Sequence, residues 1–524
     1  MNFKPLALSI LASLMLGSAG TAAATEHVLR LRLPGQSETL DPHLRHVVAD
    51  RVLDTMMLDG LTREDATGAP VPAAATSWEI SPDGRRYIFH LRPQAKFSDG
   101  HPVTSADFLY AFRRLVDPKT ASGGTDAILP VLHARDCLAG TLAPDALGVE
   151  APDPMTLVVI LEHADSFFPT WAVQLVPLEQ AVVERWGRAW VQPDHMVSNG
   201  PFVLAAYMPH GDIKFVRNPT YWNAAKIRLD EVDFLAVDSG RTAQRMFQAG
   251  EMDVVSLSSE DAKDGKLLPG AEMRTAPLNR TTYLFFNMRH GPLAESLALR
   301  RALALSLDQP LVIKIQQTLD APAFALIPPG FPDYTHPRED FADRPMPDRI
   351  AEARMLYAQA GYSADHPLEF KFTYWDGKTC AALQEMWRAA LGAKVSCEIF
   401  PDDNGLFGAY RTGQFELGGK GENSAVPDAR NLLDNLRHAP PNPTEDEGDY
   451  ANPRFNALLD QANQLADPAA HAAKVAEAEQ VLLADQAIIP VSFTRVAYAI
   501  SPRVTGYRQL PSRSLYVDDV DVAP

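Results

Sequence analysis

The chain has 524 residues, of which 66 are acidic and 48 are basic, so its formal net charge is −18. This length exceeds what a single hydrophobic core organises, and more than one domain is expected. The acidic balance argues against binding to nucleic acids and to anionic lipid surfaces, because both depend on basic side chains.

The N-terminus has the pattern of a secretory signal peptide. Lys4 precedes an uncharged apolar run at residues 6–16, and small residues at 22–24 form a cleavage pattern. The apolar run falls well short of the roughly 20 residues that a membrane-spanning helix needs. No cysteine precedes Cys137, so no lipoprotein anchor is expected. We predict that residues 1–24 are removed, with cleavage after Ala24, and that the mature protein is exported without a membrane anchor.

The first half of the mature chain alternates strand and turn signals. Thr104 is a good N-cap with Asp107 in the capping-box position, and the helix that they begin should end before Pro118. Alternating or apolar segments predict three strands, at residues 28–33, 87–91 and 156–161.

The second half alternates strands with helices. Apolar alternation predicts strands at residues 283–288, 370–374 and 395–400. Apolar faces at helical spacing predict helices at residues 297–307, 350–360, 379–391 and 476–484. A strand, a helix and a second strand in succession favour parallel pairing, which indicates an α/β fold.

Several short motifs along the chain resemble the large extracytoplasmic solute-binding proteins of peptide ABC importers. They are HLR, SDG, PVT and DF within residues 89–118, NGPF at 199–202 and RNPTYW at 217–222. The resemblance implies a two-lobed α/β binding-protein fold with an extra β-rich domain. Lobe I would comprise residues 25–58, 178–279 and 487–524, the β-rich domain residues 59–177, and lobe II residues 280–486.

The resemblance also implies a function. A monomer would capture oligopeptides or peptide-like solutes by lobe closure, with crossings near residues 279–281 and 487–490 as the hinge, and deliver them to an ABC permease of the inner membrane. No enzymatic activity, cofactor or metal is expected. Two alternatives stay open: the same fold binding a non-peptide solute, and a degenerate receptor with a chaperone or signalling role.

The family's ligand-contacting strand and loop align with residues 415–433. The relatives' aspartate that holds the peptide ammonium aligns with Ala425 and is therefore absent. Asp428 and Glu422 are the nearest acids, and we favour Asp428 as the substitute. Arg411 aligns with an arginine that can receive a carboxylate. The predicted ligand-binding residues are Ser256, Arg411, Gly421, Glu422, Asn423, Ser424, Asp428 and Phe493.

Three cysteines leave the disulfide question open. A bridge between Cys380 and Cys397 is conceivable in an oxidising compartment, but three buried free thiols are our preferred expectation. Cys137 is predicted to be unpaired in either case.

Two further patterns resemble binding sites only in part. His43 and His46 could share a metal with the nearby Asp41, but no further ligand is evident and a structural or exposed role is expected. The glycine run at residues 418–421 lacks the GK[ST] ending of a phosphate-binding loop.

Overall fold

The computed structural model describes residues 27–33, 39–44, 51–264, 269–400, 402–424, 428–437, 448–512 and 514–523. The predicted signal peptide, His46 and Ala425 lie outside these ranges. Within them, no helix combines the length and the apolar character that crossing a membrane requires.

The described strands include most of those expected from the sequence, and all are shorter than eight residues except two. The two long strands are Glu272–Phe286 and Ile488–Ile500, which lie next to each other in the large sheet. The strands are β1 Val28–Arg32, β2 Thr62–Glu64, β3 Pro70–Pro72, β4 Ala75–Ile80, β5 Arg86–Leu91, β6 Val149–Asp153, β7 Thr156–Ile160, β8 Phe202–Tyr207, β9 Ile213–Arg217, β10 Glu231–Leu235, β11 Val254–Leu257, β12 Glu272–Phe286, β13 Ala321–Pro322, β14 Glu369–Tyr374, β15 Lys394–Ile399, β16 Leu417–Asn423, β17 Ile488–Ile500, β18 Val504–Thr505 and β19 Asp521–Val522.

The described helices are concentrated in the second half of the chain. They are α1 Arg51–Met57, α2 Ser105–Val116, α3 Ala134–Leu138, α4 Phe168–Trp171, α5 Gln180–Trp186, α6 Gly240–Gln248, α7 Ser259–Asp264, α8 Pro292–Glu295, α9 Leu297–Leu305, α10 Gln309–Gln316, α11 Met346–Gln359, α12 Gly377–Leu391, α13 Asp403–Arg411, α14 Ala429–Asp434, α15 Pro453–Ala462 and α16 Pro468–Ala484.

One mixed sheet of eleven strands runs through the molecule in the order β15-β14-β16-β12-β17-β11-β1-β10-β9-β8, with β13 beside β17. The pair β14 with β15 is parallel, as the strand–helix–strand pattern of the second half indicated, and β1 with β10 is parallel as well. The long strands β12 and β17 pair with each other and join the two halves of this sheet. The two-lobed α/β fold expected from the sequence is confirmed.

The join between the halves is irregular. The register of β12 against β17 shifts between Pro277 and Thr281, and the facing residues on β17 run from Arg495 to Phe493. The predicted crossing at residues 279–281 falls on this irregularity. A second register shift, between Thr282 and Tyr283 where the partners change from Ser492 to Pro490, adjoins the second predicted crossing at residues 487–490. The two irregularities therefore face residues 493–495 and 490–492 of β17.

The first half carries a separate four-stranded sheet, β4-β5-β7-β6, and the small pair β2 and β3. Helix α2 packs beside it and begins as predicted, because the Asp107 carboxylate accepts from the Thr104 N–H at 2.8 Å. These elements lie inside the predicted β-rich domain of residues 59–177. The exact division of the chain into domains stays a prediction.

A buried ionic cluster attaches this region to the start of the chain. The Asp41 carboxylate accepts from both terminal nitrogens of Arg114 at 3.1 and 2.6 Å and from Trp190 Nε1 at 3.0 Å. His43 Nδ1 lies 2.8 Å from Arg114, and burial lowers the pKa of His43 to about 3. Asp41 and His43 thus have the structural role expected of them.

The NGPF motif has a packing role. The Asn199 side chain bonds the backbone N–H and C=O of Asp59, at 3.1 and 2.9 Å. Gly200 lies so close to the end of α1 that a Cβ there would be 2.5 Å from the Met57 carbonyl carbon. Only glycine permits this approach.

The preferred expectation of three free thiols is wrong. Cys380 of α12 and Cys397 of β15 form a disulfide, with their Cα atoms 6.1 Å apart. Helix α12 connects β14 to β15 and packs back on them, which brings its first turn beside the second strand. Cys137 is buried and free, as predicted.

Candidate functional site

Part of the predicted ligand-binding set converges on three adjacent strands. In the ladder of β16 against β12, Glu422 lies opposite Thr281. Phe493 of β17 faces Thr281 from the other side. Gly421, Glu422 and Asn423 therefore lie at the carboxyl end of β16, near the irregular join between the two halves of the sheet.

The glycine run belongs to strand β16 and forms no phosphate loop. A Cβ on Gly418 would lie 2.6 Å from the ring of Phe285, and one on Gly419 would lie 2.6 Å from the ring of Tyr374. The rings of Phe285 and Tyr374 thus occupy the space that side chains at Gly418 and Gly419 would fill.

The main chain of Gly421 and Asn423 points away from β12. The Ser424 N–H donates to the Asn279 carbonyl at 2.8 Å, and hydrogen-bonded pairs alternate along an antiparallel ladder. Every second residue of β16, namely Gly419, Gly421 and Asn423, therefore directs its N–H and C=O to the opposite side.

At Gly419 these outward groups are already used. The Tyr410 hydroxyl donates to the Gly419 carbonyl at 2.8 Å and accepts from its N–H at 3.0 Å. Beyond that point β14 has ended, and among the described residues it pairs with β16 only through Phe372 and Leu417. The end of β16 is consequently an open strand edge.

Glu422 already has a counter-charge. Its carboxylate forms an ion pair with Lys420, two residues earlier on the same face of β16, and both side chains are largely buried. A ligand ammonium would have to compete with Lys420 for this acid. Glu422 is therefore a weak candidate for the ammonium anchor that the Ala425 position lacks.

Asp428 is buried and has structural partners. Its side chain caps α14 by accepting from the Arg430 N–H at 2.9 Å, and His471 Nε2 of α16 lies 3.2 Å from its Oδ1. Burial raises the pKa of this carboxyl, but the bond and charge of His471 together with the charge and N–H of Arg430 hold the pKa below its usual range. This arrangement supports a structural role for Asp428 in place of the predicted ammonium binding.

Asp428 lies where α14 and α16 meet the β-rich region. The ring of Phe167 is 5.5 Å from that of His471, and Asp165 and Arg430 interact electrostatically with the pair. Burial lowers the pKa of His471, but Asp428 more than compensates and the pKa is raised above its usual value. The pair is therefore an imidazolium with a carboxylate at mildly acidic pH.

We expect Asp428→Asn to lower the free energy of unfolding by about 2–3 kcal/mol near pH 5, because a buried imidazolium loses its counter-charge while the helix cap remains. The raised pKa of His471 means that the pair stabilises the fold at low pH and that this contribution fades as pH rises through that pKa. The depressed pKa of Asp428 means that the contribution also fades as pH falls below roughly 4.

Chemical denaturation from pH 4 to pH 8 measures this difference. Asp467→Asn is the matched control, because Asp467 caps α16 in the same way but is exposed. A loss of stability that is independent of pH, or equal in both variants, would contradict the ion-pair role of Asp428.

Two predicted residues lie apart from this edge. Arg411 is exposed at the last turn of α13, next to Tyr410, whose hydroxyl bonds Gly419 in the middle of β16 and not at its end. Ser256 is exposed on β11 opposite Tyr498, which is five residues, or about 17 Å, along β17 from Phe493. Among the described residues, no side-chain hydrogen bond or ion pair joins either one to the end of β16.

The sequence analysis missed two residues at this edge. Arg280 pairs with Asn423 across the β12–β16 ladder, and its guanidinium lies over Gly421. Trp375 follows β14 and stacks on Tyr374 at 3.8 Å with 37% of its surface exposed. The available signal for Arg280 was a cationic residue just before the apolar segment that begins at Tyr283.

One group of side chains could hold a metal ion. Asp99, His101 and Glu179 bring their ligand atoms within 4.8 Å of one another. Both carboxylates already contact His101 Nδ1, at 2.8 and 3.2 Å, and Asp99 and His101 are exposed. This is an exposed ion-pair cluster, and no cation role is assigned to it.

Comparison with known proteins agrees with this architecture. Residues 69–444 match the model of "Bacterial extracellular solute-binding proteins, family 5 Middle". The chain is 34% identical to the "Probable deoxycholate-binding periplasmic protein YgiS" of Escherichia coli K12, over 93% of this chain and 92% of that protein.

Solved structures are also similar. Haemophilus influenzae OppA in complex with RPPGFSPFR has a TM-score of 0.77 at 30% identity, with 95% of this chain and 99% of that one covered. The Escherichia coli murein tripeptide binding protein MppA has a TM-score of 0.79 at 27% identity, with coverages of 96% and 99%.

The fold and the open strand edge at the join of the two lobes define a solute-binding protein. The chain belongs to family 5 of the bacterial extracellular solute-binding proteins.

Proposed function

We propose that the protein captures peptides or peptide-like solutes in the periplasm and passes them to an ABC permease of the inner membrane. The main observation that supports this proposal is the open edge of β16 at Gly421 and Asn423. An extended peptide binds such an edge by adding a strand, so that main-chain hydrogen bonds provide affinity for many sequences. The protein acts as a monomeric receptor without enzymatic activity.

The relatives support the same ligand class. OppA of Haemophilus influenzae has been solved with the peptide RPPGFSPFR, and MppA is named for a murein tripeptide. Several relatives are named as periplasmic, which supports export and removal of residues 1–24. Closure of lobe I and lobe II would bend the sheet at its irregular join, near residues 278–280 and 493–495.

Replacing Asn423 tests strand addition directly. Asn423→Pro removes an outward N–H without removing a hydrogen bond to β12, whereas Asn423→Ala keeps that N–H. We expect the proline variant to bind a mixture of tri-, tetra- and penta-alanine at least ten-fold more weakly than the alanine variant, as loss of one main-chain hydrogen bond predicts.

Isothermal titration calorimetry gives the affinities, and circular dichroism verifies the fold of each variant. Equal affinity of the two variants would contradict strand addition at this edge. Failure of the wild-type protein to bind any of the alanine peptides, together with no peptide masses in denatured protein purified from the periplasm, would contradict the peptide function.

A non-peptide solute is the second candidate. Ala425 stands where relatives place the ammonium-binding aspartate, and the described acids nearby, Glu422 and Asp428, already have partners. YgiS, a similar protein, is named as probably deoxycholate-binding. A single discrete non-peptide mass released from the denatured protein would favour this candidate, and no released mass would favour the chaperone or signalling role.

A further inference from the structure

The Arg280 guanidinium lies over Gly421, in a position that any side chain at residue 421 would block. An ideal Cβ on Gly421 would lie 2.0 Å from Arg280 Nη2 and 2.7 Å from Nε and from Cζ. The guanidinium therefore occupies the place of the missing side chain. This position is directly beside the outward main-chain groups of Gly421.

The Arg280 guanidinium forms no hydrogen bond or ion pair with the residues that the structure describes. Other arginines of the same half are fully engaged: Arg349 donates to the carbonyls of Leu305 and Leu307, and Arg300 to those of Leu293 and Asp485. Arg280 is half-buried like a structural arginine but lacks such partners. Partial burial of an unpaired guanidinium costs free energy that a bound anion would recover.

Asp320 interacts electrostatically with Arg280 but does not pair with it. Asp320 accepts from the Ser492 hydroxyl at 2.9 Å and from the Arg495 N–H at 3.2 Å. Burial raises the pKa of Asp320, and Arg280 only partly opposes this. Glu422 is held by Lys420 on the other face of β16, so it also leaves Arg280 unpaired.

An aromatic surface adjoins the guanidinium. Tyr374 is close enough for Arg280 to oppose the rise in its pKa that burial causes, and Trp375 stacks on the Tyr374 ring. Ile399, at the end of the neighbouring strand β15, is 40% exposed. Because Arg280 lies over Gly421 and Tyr374 over Gly419, the guanidinium and this aromatic pair share one face of β16, two residues apart along the strand.

We propose that Arg280 binds the carboxylate of the transported solute through its guanidinium fork. This inference rests on the proposed function and names the chemistry that the site selects: an anionic end group, in place of the ammonium for which relatives use an aspartate. Two sources supply that chemistry, the C-terminal carboxylate of a peptide and the carboxylate of an amphipathic acid with a large apolar body. A guanidinium fork matches either one.

Two pairs of probes distinguish these sources. One pair is the mixture of tri-, tetra- and penta-alanine and the same peptides as C-terminal amides, and the other is deoxycholate and its neutral amide. Calorimetry is carried out on wild type, Arg280→Gln, Arg280→Lys and the control Arg388→Gln. Arg388 is exposed on α12 and pairs only with Glu385 among the described residues, so its replacement leaves the site intact.

We expect wild type and Arg388→Gln to prefer the acid to the amide by about 30-fold or more in one of the two pairs, as a charge-assisted bidentate bond predicts. Arg280→Gln should abolish this preference and leave the affinity for the amide within about two-fold. Arg280→Lys should keep part of the preference, because it keeps the charge but not the fork.

The outcomes separate the two hypotheses. Acid and amide bound equally by wild type, or a preference that survives in Arg280→Gln, would overturn the role of Arg280 and leave peptide capture standing. Binding of deoxycholate alone would retain the carboxylate anchor and overturn peptide capture. Binding of none of the probes by folded wild type would overturn both.

Discussion

Asp41→Ala should destabilise the protein by about 3–5 kcal/mol, because it leaves the largely buried guanidinium of Arg114 without its counter-charge. The same change removes the acceptor of Trp190 Nε1 and of the His43 N–H. Burial raises the pKa of the Asp41 carboxyl, but Arg114, His43 and Trp190 together hold the pKa below its usual range. The ionised pair therefore persists at neutral pH.

Urea denaturation at pH 7 measures this loss. Asp145→Ala is the control, since Asp145 forms a similar contact with Arg113 at 3.2 Å but is exposed, and its removal should cost less than about 1 kcal/mol. If the two variants lose the same stability, the Asp41 cluster does not join the start of the chain to α2 in the way described.

Removal of the disulfide should have the second largest effect. Cys380 and Cys397 are 17 residues apart in sequence, and closing a loop of this size stabilises a folded protein by about 3 kcal/mol through the entropy of the unfolded chain. The double variant Cys380→Ala with Cys397→Ala should therefore unfold at lower denaturant concentration than oxidised wild type.

Reductant provides the internal control for the disulfide. It should destabilise wild type by a similar amount and leave the double variant unchanged. Thiol titration of unfolded, unreduced wild type should find one free group, that of Cys137. Three free groups in protein purified from the periplasm would refute the bridge.

Local patterns in the sequence were sufficient to predict most of the secondary structure. The capping pair Thr104 and Asp107 begins α2, and Gly361 takes a φ of +89° just after α11. The succession of β14, α12 and β15 pairs in parallel as its order indicated. Such features depend on residues a few positions apart, so a linear chain contains the information.

The site depends on contacts that no local pattern contains. Arg280 and Gly421 are 141 positions apart, yet the β12–β16 register places the guanidinium over the glycine. Likewise His471 pairs with Asp428 across 43 positions, which gives a predicted ligand-binding acid a structural partner. Alignment with relatives located the strand but could not give the partners of its side chains.

By itself, the sequence determined the family, the α/β class and the strand that carries the site, because motifs and hydrophobic periodicity are written along the chain. Tertiary structure alone decided which charges are already paired. Glu422 and Asp428 have partners, whereas Arg280 has none among the described residues. The availability of a charge for a ligand depends on what the fold packs against it, and that is a property of three-dimensional neighbours.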